Sequence, residues 1–233
     1  MKAMILAAGY GKRLNPLTLD LPKPLLKIGK ETLLSNTLKF LADCKISQVV
    51  INVHYLRKQI IDYVKKNNFD LKISIVEEKE RILDTGGGIL NAINNFSNEE
   101  FIIINPDTIW NSNYIEKLNL MKKNLTSNHQ FKCSMLVVKK EKSFDKNFKG
   151  DFNLKNNLIN RSDKGNLNYI YTGLQIIKPE AFKGFVNNVF SINDVWNKLI
   201  RKDQLSGTES SIDFFHVSDL NTYENLLDKL NIK

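Results

Sequence analysis

Cysteine is nearly absent from this sequence of 233 residues, with Cys44 and Cys133 its only two. They show no metal-ligand spacing and read as reduced, buried fillers, the usage of a cytoplasmic protein. Long apolar runs are missing too: nothing approaches the roughly 18 consecutive apolar residues that a bilayer span needs. Apolar residues at 42% and charged residues at 25% are ordinary globular usage, which argues against disorder. The N-terminal apolar run Ala3–Ala8 is short and leads into Gly-Tyr-Gly-Lys-Arg, with no small-residue cleavage site of a secretory signal. Also lacking is a linker rich in Pro, Gly or Ser, and no internal repeat is visible, so the chain reads as one soluble domain.

Acidic residues are the minority, 25 against 34 Lys and Arg, for a net charge of +9 and a pI near 9.4. The excess invites a nucleic-acid reading. The positive charges, however, run along the whole chain as singles and pairs such as Lys65-Lys66, Lys122-Lys123 and Lys139-Lys140, without the dense block of a binding tail. With 29 Asn as well, the Lys and Asn usage reads as a compositional bias that gives a solvated basic surface. Neither a nucleic-acid nor a membrane partner is expected, and no exposed apolar helix face indicates an oligomeric state.

Strand and helix signals alternate through the first half. Lys2–Ala8, Gln48–Val53 and Phe101–Asn105 are near-continuous apolar runs of the kind buried on both faces of a sheet, and Leu71–Val76 is a further strand. Between them, Leu34, Leu38 and Leu41 keep helical spacing, as do Leu56, Ile60, Ile61 and Val64, and the stretch Gly88–Ile93 follows Leu71–Val76 after a loop. The alternation predicts a mostly parallel sheet with helices on both faces. In the second half, Cys133–Val138 and Asn168–Ile177 read as strands, and Asp151–Leu154 with Leu158–Arg161 as a hairpin about Asn156-Asn157. Helical spacing returns at Ile192, Val195, Trp196 and Leu199, and at Tyr223, Leu226, Leu227 and Leu230. Residues 126–233 therefore elaborate the half formed by residues 1–125 and roof its cleft.

Ligands of open α/β sheets sit beyond the carboxyl ends of the parallel strands, so the loops after the first-half strands carry the candidate chemistry. The first loop runs Leu6-Ala7-Ala8-Gly9-Tyr10-Gly11-Lys12-Arg13-Leu14-Asn15-Pro16-Leu17-Thr18, followed by Leu21-Pro22-Lys23-Pro24-Leu25. Gly9 and Gly11 permit close approach of backbone N–H groups to a polyphosphate, and Arg13 and Lys23 offer charges to phosphate oxygens. By itself a turn with two glycines is equally a tight turn. It matches neither the dinucleotide fingerprint nor the phosphate loop of P-loop proteins. Asp84-Thr85-Gly86-Gly87-Gly88 opens a helix with backbone donors against which a base or ribose can lie. Asp107, after Asn105-Pro106, stands at the sheet's carboxyl edge, either as a Mg²⁺ ligand or as a helix N-cap.

The combination LAAG-x-G-x-R-x-x-PLT followed by PKPL closely resembles the signature of the sugar-1-phosphate nucleotidyltransferases, which join a nucleoside triphosphate and a sugar 1-phosphate into a nucleotide sugar and pyrophosphate. The later motifs Asn52-Val53-His54-Tyr55-Leu56, Thr85-Gly86-Gly87-Gly88, Asn105-Pro106-Asp107-Thr108-Ile109-Trp110, Gly150-Asp151-Phe152 and Tyr171-Thr172-Gly173 look most like the N-acetylmuramate-1-phosphate uridylyltransferase branch. The resemblance covers nearly the whole chain. It implies a single-domain Rossmann-like nucleotidyltransferase fold, with a mostly parallel central sheet flanked by helices and a smaller β-rich sugar-binding lobe. It also implies that Leu6, Ala7, Ala8, Gly9, Gly11, Lys12, Arg13, Thr85, Gly86, Gly87 and Asn105 bind the nucleotide. Lys23, Asn52, His54, Asp151, Thr172 and Gly173 fall on the sugar-phosphate side, and Arg13, Lys23 and Asp107 carry the reaction, with Mg²⁺ at Asp107. The implied substrates are UTP and N-acetylmuramate 1-phosphate, with guanylyl, thymidylyl or cytidylyl transfer, or a silent nucleotide-binding regulator, as alternatives.

The chain departs from the pattern at the end of the metal site, where the family places a second Asp. Here the segment is Phe214-Phe215-His216-Val217-Ser218-Asp219-Leu220, with His216 at the usual Asp. A neutral imidazole suits softer metals than Mg²⁺. Three readings follow: His216 approaches the metal or its water, Asp219 enters by a register shift, or Asp107 and phosphate oxygens suffice. Asp219 also suits the N-cap of the helix that contains Tyr223 and Leu226.

Overall fold

Apolar runs with few charges build the centre of the protein. The computed structural model describes residues 1–161, 166–186 and 188–231. In its first half, strands β1 (Ala3–Ala7), β4 (Gln48–Val53), β5 (Lys72–Glu77) and β6 (Phe101–Ile104) alternate with helices α1 (Leu33–Asp43), α2 (Arg57–Lys66) and α3 (Asp84–Ala92), and a small ribbon of β2 (Lys27–Ile28) and β3 (Glu31–Thr32) precedes α1. After α4 (Tyr114–Ser127) come β7 (Cys133–Lys139), β8 (Asn153–Lys155), β9 (Leu158–Asn160), β10 (Tyr169–Ile177), α5 (Ile192–Ile200), β11 (Leu205–Ser210) and α6 (Leu220–Lys229).

The large sheet has nine strands in the order β5-β4-β1-β6-β10-β7-β11-β9-β8. The pairs β5·β4, β4·β1, β1·β6 and β7·β11 are parallel, and only β10 and β9 run against the others. The sheet is thus mostly parallel, as the alternation predicts. Helices α1, α2 and α4 cover one face through Leu34, Leu38, Leu41, Ile60, Leu118 and Met121. Helices α3 and α5 cover the other through Ile89, Ala92, Val195, Trp196 and Leu199. The β8–β9 hairpin turns at Asn156 and Asn157, both in the left-handed region with φ of 52° and 61°. Asn accepts that conformation more readily than most residues.

Besides the small β2–β3 ribbon, two longer elements escape the sequence reading. In β11 every residue but Glu209 is buried, yet its sequence LSGTES holds a single large apolar side chain. Helix α4 buries Tyr114, Leu118, Met121 and Leu125, a helical spacing that the sequence does contain.

Strand β10 lies antiparallel to β6 with Leu174 opposite Ile104, so its residues 169–173 extend past the end of β6 and form a wall beside the sheet's carboxyl edge. Its pairing with β7 shifts between Tyr171 and Gln175. Gly173 occupies this irregularity at φ +90°, and a side chain there would bring Cβ within 2.9 Å of the Asn105 Cβ. Only glycine takes up that backbone without strain.

Candidate active site

The glycine loop is shaped by local backbone needs and by bonds from its neighbours. Gly11 sits at φ +66°, and an added Cβ would lie 3.1 Å from the Lys23 Cβ and 3.2 Å from the Thr18 methyl. Thr18 Oγ1 donates to the Gly11 carbonyl at 2.9 Å. From the loop after β4, the Tyr55 hydroxyl reaches the carbonyls of Thr18 and Leu19 at 2.8 and 2.9 Å. The loop is thereby clasped from behind, while Gly9 faces open space.

A cleft of about 400 Å³ opens over the carboxyl ends of β1, β4 and β6. Among the expected nucleotide residues, Leu6, Ala7, Ala8, Gly9, Gly11, Lys12, Arg13, Thr85 and Asn105 line it, together with Lys23, Asn52 and Asp107. Ile82, Asp84 and Ser218 border it as well, although the sequence reading gives Ile82 and Ser218 no role. Gly86 and Gly87 are absent from its lining. Gly87 N–H donates to the Phe190 carbonyl at 3.0 Å, and the missing side chain of Gly86 makes room for the Phe190 ring. These two glycines serve the packing of α3 against the segment before α5. Thr85 Oγ1 accepts from the Ile192 N–H at 2.9 Å, which fixes α3 to α5.

At the floor of the cleft, Lys23 Nζ forms an ion pair with Asp107 Oδ2. His216 Nε2 lies 3.2 Å from the same oxygen. The short backbone pairing of the 107–109 and 215–217 segments makes this possible: Ile109 N–H donates to the Phe215 carbonyl at 2.9 Å and Val217 N–H to the Asp107 carbonyl at 2.8 Å, with Thr108 opposite His216. Burial pushes the Asp107 carboxyl up, but the Lys23 charge and the His216 imidazole outweigh it and hold the group well below the usual carboxylate range. Asp107 Oδ1 is buried and has no hydrogen-bond partner among the described residues. Among the described residues no group of three or more His, Cys, Asp or Glu side chains converges to hold a metal unaided. One charged carboxylate with a free oxygen suits Mg²⁺, which completes its shell from phosphates and water.

Asp219 does not join this cluster. Its Oδ1 accepts from the Thr222 N–H at 2.8 Å and caps α6. Asp107 caps no helix, since α4 begins only at Tyr114. Of the expected sugar-phosphate side, only Lys23 and Asn52 line the cleft. His54 Nδ1 is bonded to the Glu78 carbonyl at 2.5 Å. Thr172 Oγ1 donates to the Leu136 carbonyl at 3.1 Å, and the Gly173 carbonyl accepts from the Asn105 N–H at 2.8 Å. Asp151 Oδ2 accepts from the Tyr171 N–H at 2.9 Å. Burial pushes the Asp151 carboxyl up, partly offset by that N–H and by the charges of Arg161 and His216.

Comparison with known proteins agrees with this architecture. The family model described as nucleotidyl transferase matches residues 2–144. An N-acetylmuramate alpha-1-phosphate uridylyltransferase of Caulobacter vibrioides is 28% identical over 222 residues, covering 93% of this chain and 91% of the relative. The protein of the same name from Neisseria meningitidis is 29% identical over 210 residues, covering 89% and 88%. Among solved structures, HddC from Yersinia pseudotuberculosis complexed with GMP-PN superposes with a TM-score of 0.76 at 23% identity, over 98% of this chain and 99% of that one. With the glycine loop, Lys23 and Asp107 gathered around one cleft, the chain belongs to the nucleotidyl transferase family, among the enzymes that act on sugar 1-phosphates.

Proposed function

We propose that the enzyme transfers the uridylyl group of UTP to N-acetylmuramate 1-phosphate, giving the UDP-sugar and pyrophosphate. The observation that carries this reading is the meeting of Lys23 and Asp107 on the floor of the cleft that the glycine loop borders, supported by the names of the two bacterial relatives that align over nine-tenths of the chain.

Transfer is an in-line displacement at the α-phosphorus: an oxygen of the sugar phosphate attacks and pyrophosphate leaves. The attacking phosphate is already anionic, so no general base is required. The loop amides from Ala8 to Gly11 and the Arg13 guanidinium bind the triphosphate, and Lys23 neutralises charge at the reacting phosphate. The free oxygen of Asp107 would hold Mg²⁺, with His216 steadying the carboxylate; when bound, the ion supplies further neutralisation of phosphate charge. This reading assigns the enzyme to the cytoplasm, in recycling of cell-wall sugars.

A thermal-shift screen of the four ribonucleoside triphosphates and dTTP, with and without Mg²⁺, followed by pyrophosphate release with the preferred nucleotide, tests the assignment. UTP is expected to stabilise most. Preference for GTP, dTTP or CTP would contradict the uridylyl assignment, and tight binding without turnover would favour a regulator.

A further inference from the structure

The loops on either side of the cleft share one buried support. Glu78, directly after β5, and Asn52, near the end of β4, are each 3% exposed. Asn52 Oδ1 accepts from the Ala7 N–H at 3.1 Å, and Asn52 Nδ2 donates to Glu78 Oε1 at 2.7 Å. The other oxygen, Glu78 Oε2, accepts from the Leu83 N–H at 2.8 Å, just before α3. One carboxylate and one carboxamide thus join the start of the glycine loop to the residues that lead into α3. Ala7 and Asn52 line the cleft on one side of this bridge, and Asp84 and Thr85 on the other.

Gly88 supplies the space for the bridge. A Cβ at that position would lie 2.6 Å from Glu78 Oε1 and 2.8 Å from Asn52 Nδ2, so α3 rests directly on the pair. The third glycine of the Thr85–Gly88 motif is therefore explained by what lies beneath the helix. Polarity makes a carboxylate the specific requirement. The groups facing the two Glu78 oxygens are both N–H donors, whereas a carboxamide would turn its own N–H₂ against one of them and leave a buried donor unpaired.

We propose that Glu78, acting through Asn52, is a positioning residue for the nucleotide: it sets the separation of the glycine loop from α3, and so the affinity for the triphosphate, without touching it. This role rests on the nucleotide occupying the cleft, as proposed above.

Calorimetric UTP titration and steady-state kinetics on the full chain test it. Glu78→Gln preserves size, and loss of one buried hydrogen bond is expected to raise the UTP Kd and KM about fivefold to thirtyfold. The kcat and the KM for the sugar 1-phosphate are expected to stay within about twofold, a split that general destabilisation does not produce. Adding Asn52→Asp reverses the polarity of the bridge: the new carboxylate accepts from the Ala7 N–H and from the new carboxamide, whose oxygen accepts from the Leu83 N–H. The double variant is expected to recover UTP binding to within about threefold of wild type. Wild-type UTP affinity in Glu78→Gln, or a double variant no tighter than the single one, would overturn the role. Wild-type protein that binds no nucleoside triphosphate would contradict the function itself.

Discussion

The imidazole of His216 and the ammonium of Lys23 converge on one oxygen of Asp107, Oδ2, while the second oxygen, Oδ1, is buried and without a partner among the described residues. The two flanking groups fix the carboxylate's orientation and keep it ionised, so the free oxygen is presented as a charged acceptor. His216→Ala removes one of the two contacts. With a hydrogen bond to a charged group lost, kcat/KM should fall about tenfold to a hundredfold, measured by pyrophosphate release. Unaltered kcat/KM would show that the imidazole does not hold the carboxylate.

If the free Asp107 oxygen holds Mg²⁺ as proposed, turnover requires a divalent cation. Treatment with EDTA should abolish pyrophosphate release, and Mg²⁺ should restore it. Full activity after chelation would remove the metal from the account.

Asp219 is assigned to stability. Its carboxyl is held below the ordinary range by the Thr222 backbone N–H, with lesser help from the Thr222 and Ser218 hydroxyls and the Arg13 charge. Asp219→Ala should cost about 1 kcal/mol through loss of the α6 cap, read from denaturant midpoints, with turnover retained. A folded-state carboxyl that is easier to ionise stabilises above its unfolded value, near pH 4, and the benefit is lost as the pH falls through the lower folded value. The gap between variant and wild type should therefore narrow in acid. Loss of turnover at neutral pH with unchanged stability would reverse the assignment.

Gly173→Ala tests the wall formed by β10. The left-handed backbone and the contact with Asn105 should together destabilise the fold by at least about 2 kcal/mol. Because the Gly173 carbonyl holds the Asn105 N–H, activity should fall as well. A variant as stable as wild type would mean that this backbone accepts a side chain.

Strands β1, β4 and β6 are legible in the sequence because burial on both faces demands continuous apolar runs, as in Phe101–Ile104, whereas the edge strand β5, none of whose residues is fully buried, shows through Ile73, Ile75 and Val76. The same rule hides β11, whose buried Ser206, Thr208 and Ser210 are polar. The first loop is legible from its glycines, its cations and the resemblance they carry. Contact between Asp107 and His216 depends on backbone pairing of distant segments; the sequence points to it only through the family resemblance, which sets His216 at the usual second Asp. The glycines after Thr85 are visible as a motif, yet their purposes differ: Gly86 and Gly87 admit the 188–190 segment, while Gly88 admits the Asn52–Glu78 bridge. Composition alone does not separate those uses from a bed for a base.

Pyrophosphate release from UTP and N-acetylmuramate 1-phosphate, compared between wild type and Lys23→Ala, tests the central claim most directly. Removing the charge proposed to neutralise the reacting phosphate should lower kcat about 10²- to 10³-fold, with the fold intact by thermal melting. Turnover at the wild-type rate in Lys23→Ala would contradict the account.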